Sequence, residues 1–302
     1  MTRHLLSITD LASEELSTVL DLAEATPPSQ SLAGKGAALV FEHPSARTRN
    51  ASEMAVVQLG GHPVTIRGEE IGFDRRESVE DVAMTLASYH ALIAARVTRH
   101  SVLERMVSVL DGASLPVPVI NLLSDVEHPT QALADLLTIR QEFTTFDVSV
   151  GFVGDGNNVA RSLAFACALA GVRFAIASPK GYELTDADCG VAESLGGEIV
   201  RHRSPTAAAE GADVLYTDVW VSMGEDAARA EKLRAFSGFS IDDDLLAVAN
   251  EGAIVMHCLP AHRGEEITGD VIGGPHSRVW RQAQNRMHAM RGLLVHCLEE
   301  QG

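Results

Sequence analysis

Ser45-Ala46-Arg47-Thr48-Arg49 alternates hydroxyl and guanidinium groups at a point where the sequence changes character. The apolar run Ala37 to Phe41 before it suits a buried parallel strand, and this run halts at Pro44. After it, Ala51, Met54, Ala55 and Leu59 fall at helical spacing, and Gly60-Gly61 supplies a stop. The segment therefore stands where a strand hands over to a helix N-terminus. Free backbone N–H groups and the positive end of the helix dipole favour an anion there. Ser45 and Thr48 add hydroxyl donors, while Arg47 and Arg49 add planar forks that can grip phosphate bidentately. Taken alone, the segment is equally consistent with a Ser N-cap beside two solvated arginines.

Other residues of chemical interest stand at the ends of predicted strands. The apolar run Ala91 to Ala95 delivers Arg96 at its carboxyl end, the side of an open α/β sheet where ligands gather. In His128-Pro129-Thr130-Gln131, Pro129 suits the first position of a helix whose buried face is Leu133, Leu136 and Leu137. His128 and Gln131, three residues apart, then share one side of that helix end. Asp218 follows the strand Val214 to Tyr216 and shares a loop with Ser222, Met223 and Gly224; Cys258 follows the strand Ala253 to Met256. A carboxylate suits an ammonium-bearing substrate, and a neighbouring thiol can assist its deprotonation. The plainer alternatives are a turn carboxylate for Asp218 and a small buried apolar side chain for Cys258. A nucleophilic Cys258 with His257 or His262 as its base is a further alternative, although adjacency in sequence is poor support for a triad.

These residues need a framework. Thr9-Asp10 opens a first helix with Leu11, Leu16, Leu20 and Leu22 on its apolar face, ended by Pro27-Pro28. The short strand Pro63 to Ile66 runs into a charged loop, Arg67 to Arg76, readable as a solvated turn or as a lid. Ser78 caps the next helix, and Val117 to Leu122 forms another strand. Near residue 144 the alternation restarts with strand Val148 to Val153, turn Gly154 to Asn158 and helix Val159 to Leu169, and it continues through Ala253 to Met256. The pattern predicts an α/β protein of two doubly wound, parallel-sheet, Rossmann-like domains. The expected boundaries are 1–143 for the first domain and 144–278 for the second, with the C-terminal helix, 279–302, packing back on the first. Gly154-x-Gly156 lacks the third glycine of a dinucleotide fingerprint, because Val159 stands in its place, and Ala177-Ser178-Pro179 offers no ribose-binding acid. The turn thus leaves Asn157 or Asn158 available for something smaller than a nucleotide.

Composition narrows the class. The chain has 302 residues, 46% hydrophobic and 22% charged, with a formal net charge of −17 that argues against nucleic acid or an anionic membrane as partner. The 4 cysteines, Cys167, Cys189, Cys258 and Cys297, show no metal-binding spacing. With neither a signal core nor a long apolar span, the expectation is a cytoplasmic protein with reduced thiols.

Together the segments resemble the aspartate/ornithine carbamoyltransferase family, most closely its ornithine branch. Ser45-Ala46-Arg47-Thr48-Arg49 is similar to the family's carbamoyl-phosphate loop, His128-Pro129-Thr130-Gln131 to its His-Pro-x-Gln, and Arg96 to its strand-end arginine. Gly154-Asp155-Gly156-Asn157-Asn158, Asp218 with Ser222-Met223-Gly224, and His257-Cys258-Leu259-Pro260 resemble the ornithine branch, as does Gln284-Asn285-Arg286. The resemblance implies carbamoyl transfer from carbamoyl phosphate to the side-chain amine of ornithine, giving citrulline, with no metal or organic cofactor. It implies that Ser45, Ala46, Arg47, Thr48, Arg96, His128, Gln131, Cys258, Leu259 and Arg286 bind carbamoyl phosphate. Asn158, Asp218, Ser222 and Met223 would bind ornithine, and Arg47, His128, Asp218 and Cys258 would be catalytic. It further implies a homotrimer with active sites at subunit interfaces, working in arginine biosynthesis. Ala46 stands where the family carries Thr, and Glu70 where the ornithine branch carries Gln, so either an arginine of the loop, Arg75 or Arg76, is expected to neutralise Glu70, or Glu70 is expected to recognise a cationic second substrate. The alternatives are the same transfer to another amine and a ligand-binding paralogue without catalysis.

Overall fold

The computed structural model describes residues 2–221 and 226–299. Contacts divide the chain into two units, one of residues 1–134 with 284–302 and the other of residues 135–283.

The first unit holds a four-stranded parallel sheet, and its runs of β-compatible apolar residues supply the strands. In chain order it contains α1 (Ser13–Glu24), β1 (Gly36–Phe41), α2 (Ala46–Gln58), β2 (His62–Arg67), α3 (Gly68–Ile71) and α4 (Val79–Ala87). Then come β3 (Leu92–Arg96), α5 (Ser101–Gly112), β4 (Val119–Leu123) and the start of α6 (Pro129–Phe143). Strand order is β2-β1-β3-β4, so the chain reverses direction across the sheet between β1 and β3. Every residue of β3 is buried, as expected for a parallel strand covered on both faces. Register pairs Phe41 with Arg96, which sets the strand-end arginine beside the start of the anion segment.

The second unit repeats the plan with β5 (Ser149–Val153), α7 (Asn158–Ala170), β6 (Arg173–Ala177), α8 (Asp186–Ser194), β7 (Ile199–His202), α9 (Pro205–Ala209) and β8 (Val214–Thr217). After a 3-10 turn, Asp226–Ala228, it continues with α10 (Arg229–Ala235), α11 (Asp243–Leu246), β9 (Ile254–His257), α12 (Gly269–Gly273) and the start of α13 (Val279–Glu299). Its order is β7-β6-β5-β8-β9, all parallel, with the reversal between β5 and β8. Thr217 is in register with His257, so the residues that follow, Asp218 and Cys258, leave neighbouring strands side by side.

The C-terminal helix packs on the first unit as expected. A Cβ on Gly292 would lie 2.2 Å from the Val19 carbonyl oxygen and 2.6 Å from the Ala23 nitrogen, so α13 meets α1 backbone to backbone. Arg291 donates to the Ala23 carbonyl and, at 3.1 Å, to Gln58 Oε1. Two local expectations need correction. Thr9-Asp10 does not open α1: Ser7 and Asp10 close a capping box around the single 3-10 turn Ile8–Asp10, and the α-helix begins at Ser13. The charged segment after β2 starts with the short helix α3, and neither arginine meets the carboxylate of Glu70. That carboxylate accepts from its own N-cap nitrogen, Arg67 N, at 3.1 Å, while Arg76 donates to the Glu70 carbonyl.

Candidate active site

In the first unit, β1 ends at Phe41 and α2 begins at Ala46, with Ser45 as N-cap in extended conformation. Ser45 is thus the N-cap by position, but its side chain makes no capping bond to α2, so the helix end keeps its donors. Glu42 fixes the loop from one side: its carboxylate accepts from Thr98 N at 2.6 Å, and its own nitrogen donates to the Arg96 carbonyl at 3.0 Å. His43 adds a 2.9 Å bond to Thr98 Oγ1. These bonds lock the loop after β1 onto the segment after β3.

Arg96 is buried, at 8% exposure. Its pKa is pushed down to about 10, first by burial and then by repulsion from Arg286 and Arg47, with no carboxylate offsetting either. Among the described residues its Nε has no hydrogen-bond partner. Arg286, on α13, donates to Gln131 Oε1 and, at 3.1 Å, to the buried hydroxyl of Thr48. His128 is held neutral: burial drives its pKa well below the usual imidazole range, and Arg286 and Arg96 add to the effect. Arg49 stands 3.8 Å from Glu53 on the same helix. The structure thus gathers Thr48, Arg96, His128, Gln131 and Arg286, with Arg47 near enough to repel Arg96. Ser45 and Ala46 border a cavity of 340 Å³ that Arg49, Arg67 and Glu69 also line. A buried Arg96 repelled by two other arginines, next to a helix N-terminus, is an environment that favours an anion.

In the second unit the chemistry lies at the β5, β8 and β9 ends. The Cys258 thiol donates to Asp218 Oδ1 at 2.8 Å. Asn157 donates to Asp218 Oδ2 at 2.9 Å, while its own Oδ1 caps α7 by accepting from Val159 N and Ala160 N. Asn157 therefore holds Asp218, and the half-buried Asn158 follows it as the first residue of α7. Ser222 and Met223, with Gly224, lie outside the described residues.

His257 is not a base for Cys258. Its ring Nδ1 accepts from Leu259 N at 2.9 Å and its Nε2 donates to Glu266 Oε1 at 3.0 Å, so both nitrogens are spent on the turn that carries Leu259. That turn puts Leu259 at φ 62°, a conformation non-glycine residues rarely adopt without outside support. Behind it, Gln282 Oε1 accepts from His257 N at 2.8 Å, and Gln282 Nε2 donates to Asp135 at 2.7 Å; Tyr216 also donates to Asp135, at 3.0 Å.

Sequence reasoning missed Glu42, Asp135, Tyr216, Glu266 and Gln282, whose roles follow only from long-range contacts; a Glu one residue past a strand end was the sole available signal. Asp218, His257 and Cys258 offer ligand atoms within 4.8 Å of one another, a metal-compatible set, but both ring nitrogens of His257 are already engaged. A larger hollow of 640 Å³ lies at the opposite, amino ends of β5 and β6, lined by Ser149, Arg173 and Gly197, away from these groups. At Gly156 the 182–184 backbone crosses the glycine turn, with Leu184 N 2.4 Å from where a Cβ would stand, so the residue has to be glycine. No helix among the described residues is long and apolar enough to cross a membrane.

Comparison with known proteins gives a consistent result. Residues 3–141 match the carbamoyl-P binding domain of aspartate/ornithine carbamoyltransferase, and residues 147–297 match the Asp/Orn binding domain. The chain is 46% identical to the ornithine carbamoyltransferase of Acidothermus cellulolyticus, covering 100% of this chain and 98% of that protein. It is 43% identical to that of Haloquadratum walsbyi, over 98% of each. Among solved structures, ornithine carbamoyltransferase from Pyrococcus furiosus superposes with a TM-score of 0.92 at 40% identity, covering 99% of this chain and 97% of that one.

Proposed function

The chain belongs to the aspartate/ornithine carbamoyltransferase family, and we propose that it transfers the carbamoyl group of carbamoyl phosphate to the side-chain amine of L-ornithine, releasing L-citrulline and phosphate. The observation that carries the reading is the buried cluster in which Arg286 binds Gln131 and Thr48 beside His128 and an Arg96 pressed by the charges of Arg286 and Arg47. Residues 1–143 with 279–302 serve as the carbamoyl-phosphate domain and 144–278 as the ornithine domain.

Ser45, Ala46, Arg47, Thr48 and Arg96 hold the phosphate, through side chains and the free N–H groups of α2. His128 and Gln131, with Arg47 or Arg286, polarise the carbamoyl oxygen. A neutral His128 donates a hydrogen bond there without placing another fixed charge among three arginines. The backbone of Cys258 and Leu259 orients the carbamoyl amide. Asn158 and Asp218, with Ser222 and Met223, bind ornithine. The ornithine amine must lose a proton before its nitrogen attacks the carbamoyl carbon. Asp218 favours the charged amine, so it acts as an orienting group and transient proton acceptor, with the Cys258 thiol on its other oxygen. The tetrahedral adduct then collapses with the C–O bond breaking and phosphate leaving, and positioned charges stabilise that transition state. The chemistry needs no metal or organic cofactor.

The protein is placed by this reading in the cytoplasm, in arginine biosynthesis, and in a homotrimer whose active sites lie at subunit interfaces. Adjacent exposure of Met54 and Val57 on α2 supports association through that helix. The test is incubation with carbamoyl phosphate and, separately, ornithine, N-acetylornithine, putrescine, lysine and aspartate, with mass spectrometric detection of products. Citrulline alone is expected. A different carbamoylated amine would move the specificity, and no product would reject catalysis.

A further inference from the structure

Lys232 and Asp155 form a buried ion pair, Nζ to Oδ2 at 2.7 Å, with exposures of 6% and 8%. Neither belongs to the groups assigned above to substrate. Asp155 lies in the Gly154–Asn158 turn between β5 and α7, and Lys232 on α10, where its Nζ also stands 5.7 Å over the Tyr182 ring.

Both segments have other anchors. The turn is fixed by Gly156 N donating to the Tyr182 carbonyl at 2.8 Å and by the Asn157 cap on α7. α10 is fixed by Arg229 on Glu265, and by Phe236, fully buried just past the helix between Trp220 and Tyr182 at ring distances of 5.7 and 4.9 Å. Burying two charges is unfavourable unless their geometry is excellent, and apolar residues of similar volume often stabilise more. The pair is therefore poorly explained as glue. What it adds is direction, because a charge-assisted bond holds Asp155 in one orientation. Two residues on, Asn157 donates to Asp218, which accepts the Cys258 thiol.

We propose that Lys232 is a positioning residue for the amino-acid substrate, acting through Asp155 to set the Asn157–Asn158 turn against Asp218. This rests on the assignment of Asn158 and Asp218 to that substrate. The test compares steady-state kinetics and melting temperature for wild type, Lys232→Arg and the apolar pair Asp155→Leu/Lys232→Met. The neutral pair Asp155→Asn/Lys232→Gln serves as the second variant should the apolar one not fold. The expected result for either pair is a rise of about tenfold or more in KM for ornithine, with carbamoyl-phosphate KM and melting temperature near wild type. Lys232→Arg should recover most of the loss. An unchanged ornithine KM overturns the proposal, and so does a parallel rise in both KM values with a fall in melting temperature, the signature of a structural role. Wild type is scored first against the amine panel. If another amine is the substrate, the ornithine reading fails while the Lys232 variants are read with that amine; if none reacts, both fail.

Discussion

In the proposed anion site, Arg96 and Arg286 are buried beside His128 inside a chain of net charge −17. At 0.15 M ionic strength screening acts over about 8 Å, so neighbours within the site outweigh the distant acidic surface. Arg96 stands against its own stability, since burial and like charge both disfavour it. Arg96→Leu should therefore raise the melting temperature of the ligand-free protein while abolishing the rise that carbamoyl phosphate gives wild type, as thermal denaturation with and without it would reveal. His128 gives a pH prediction. Its folded pKa lies below the unfolded value near 6.5, so below that pH the unfolded chain binds a proton that the folded chain refuses. Stability then falls with falling pH, by up to about 1.4 kcal/mol per pH unit from this group. Denaturant titrations between pH 7 and pH 5 should show this loss in wild type and a smaller one in His128→Gln. The residues proposed to do the chemistry stand at strand ends and helix starts, whose local patterns a sequence shows. Glu42, Glu266 and Gln282 were not legible there, since Glu42 and Gln282 bind backbone far away in sequence and Glu266 binds a His257 ring that only folding brings to it.

At the scale of elements, fully buried parallel strands read as apolar runs, and β1, β3, β5 and β8 lie within a residue or two of their expected limits. Helix α5, with Val102, Leu103, Met106 and Leu110 as its buried face, has His100 as its N-cap without a side-chain capping bond, so its N-terminus has no local signal. α10, α11 and α12 are seven residues or shorter, too brief for a periodicity to emerge. The α1–α13 contact has a sequence signal, Gly292, whose meaning appears only when α1 is seen against it. Gly292→Ala would force α13 away from Val19 and Ala23, and overpacking of this kind costs about 1–3 kcal/mol. Urea unfolding of the Gly292→Ala protein should give a lower midpoint, and an unfolding free energy smaller by that margin; an equal midpoint would mean that the two helices are not in backbone contact.

Across the whole molecule, two units with the same plan each carry their proposed site residues at the carboxyl ends of parallel strands, in each unit around the point where the strand order reverses. That symmetry follows from right-handed βαβ construction and was readable from the alternation of patterns. The contact division falls inside α6 and α13, where a sequence shows no punctuation. Association is not written in one chain's pattern; light scattering should return three times the 32.2 kDa chain mass, and a monomer would contradict the proposed trimer. The most direct test of the central claim follows carbonyl-13C carbamoyl phosphate with ornithine by NMR. The account predicts that the label appears in the ureido carbon of citrulline, with one phosphate released per citrulline and no such signal from Arg47→Ala. Label confined to hydrolysis products while ornithine persists would contradict it.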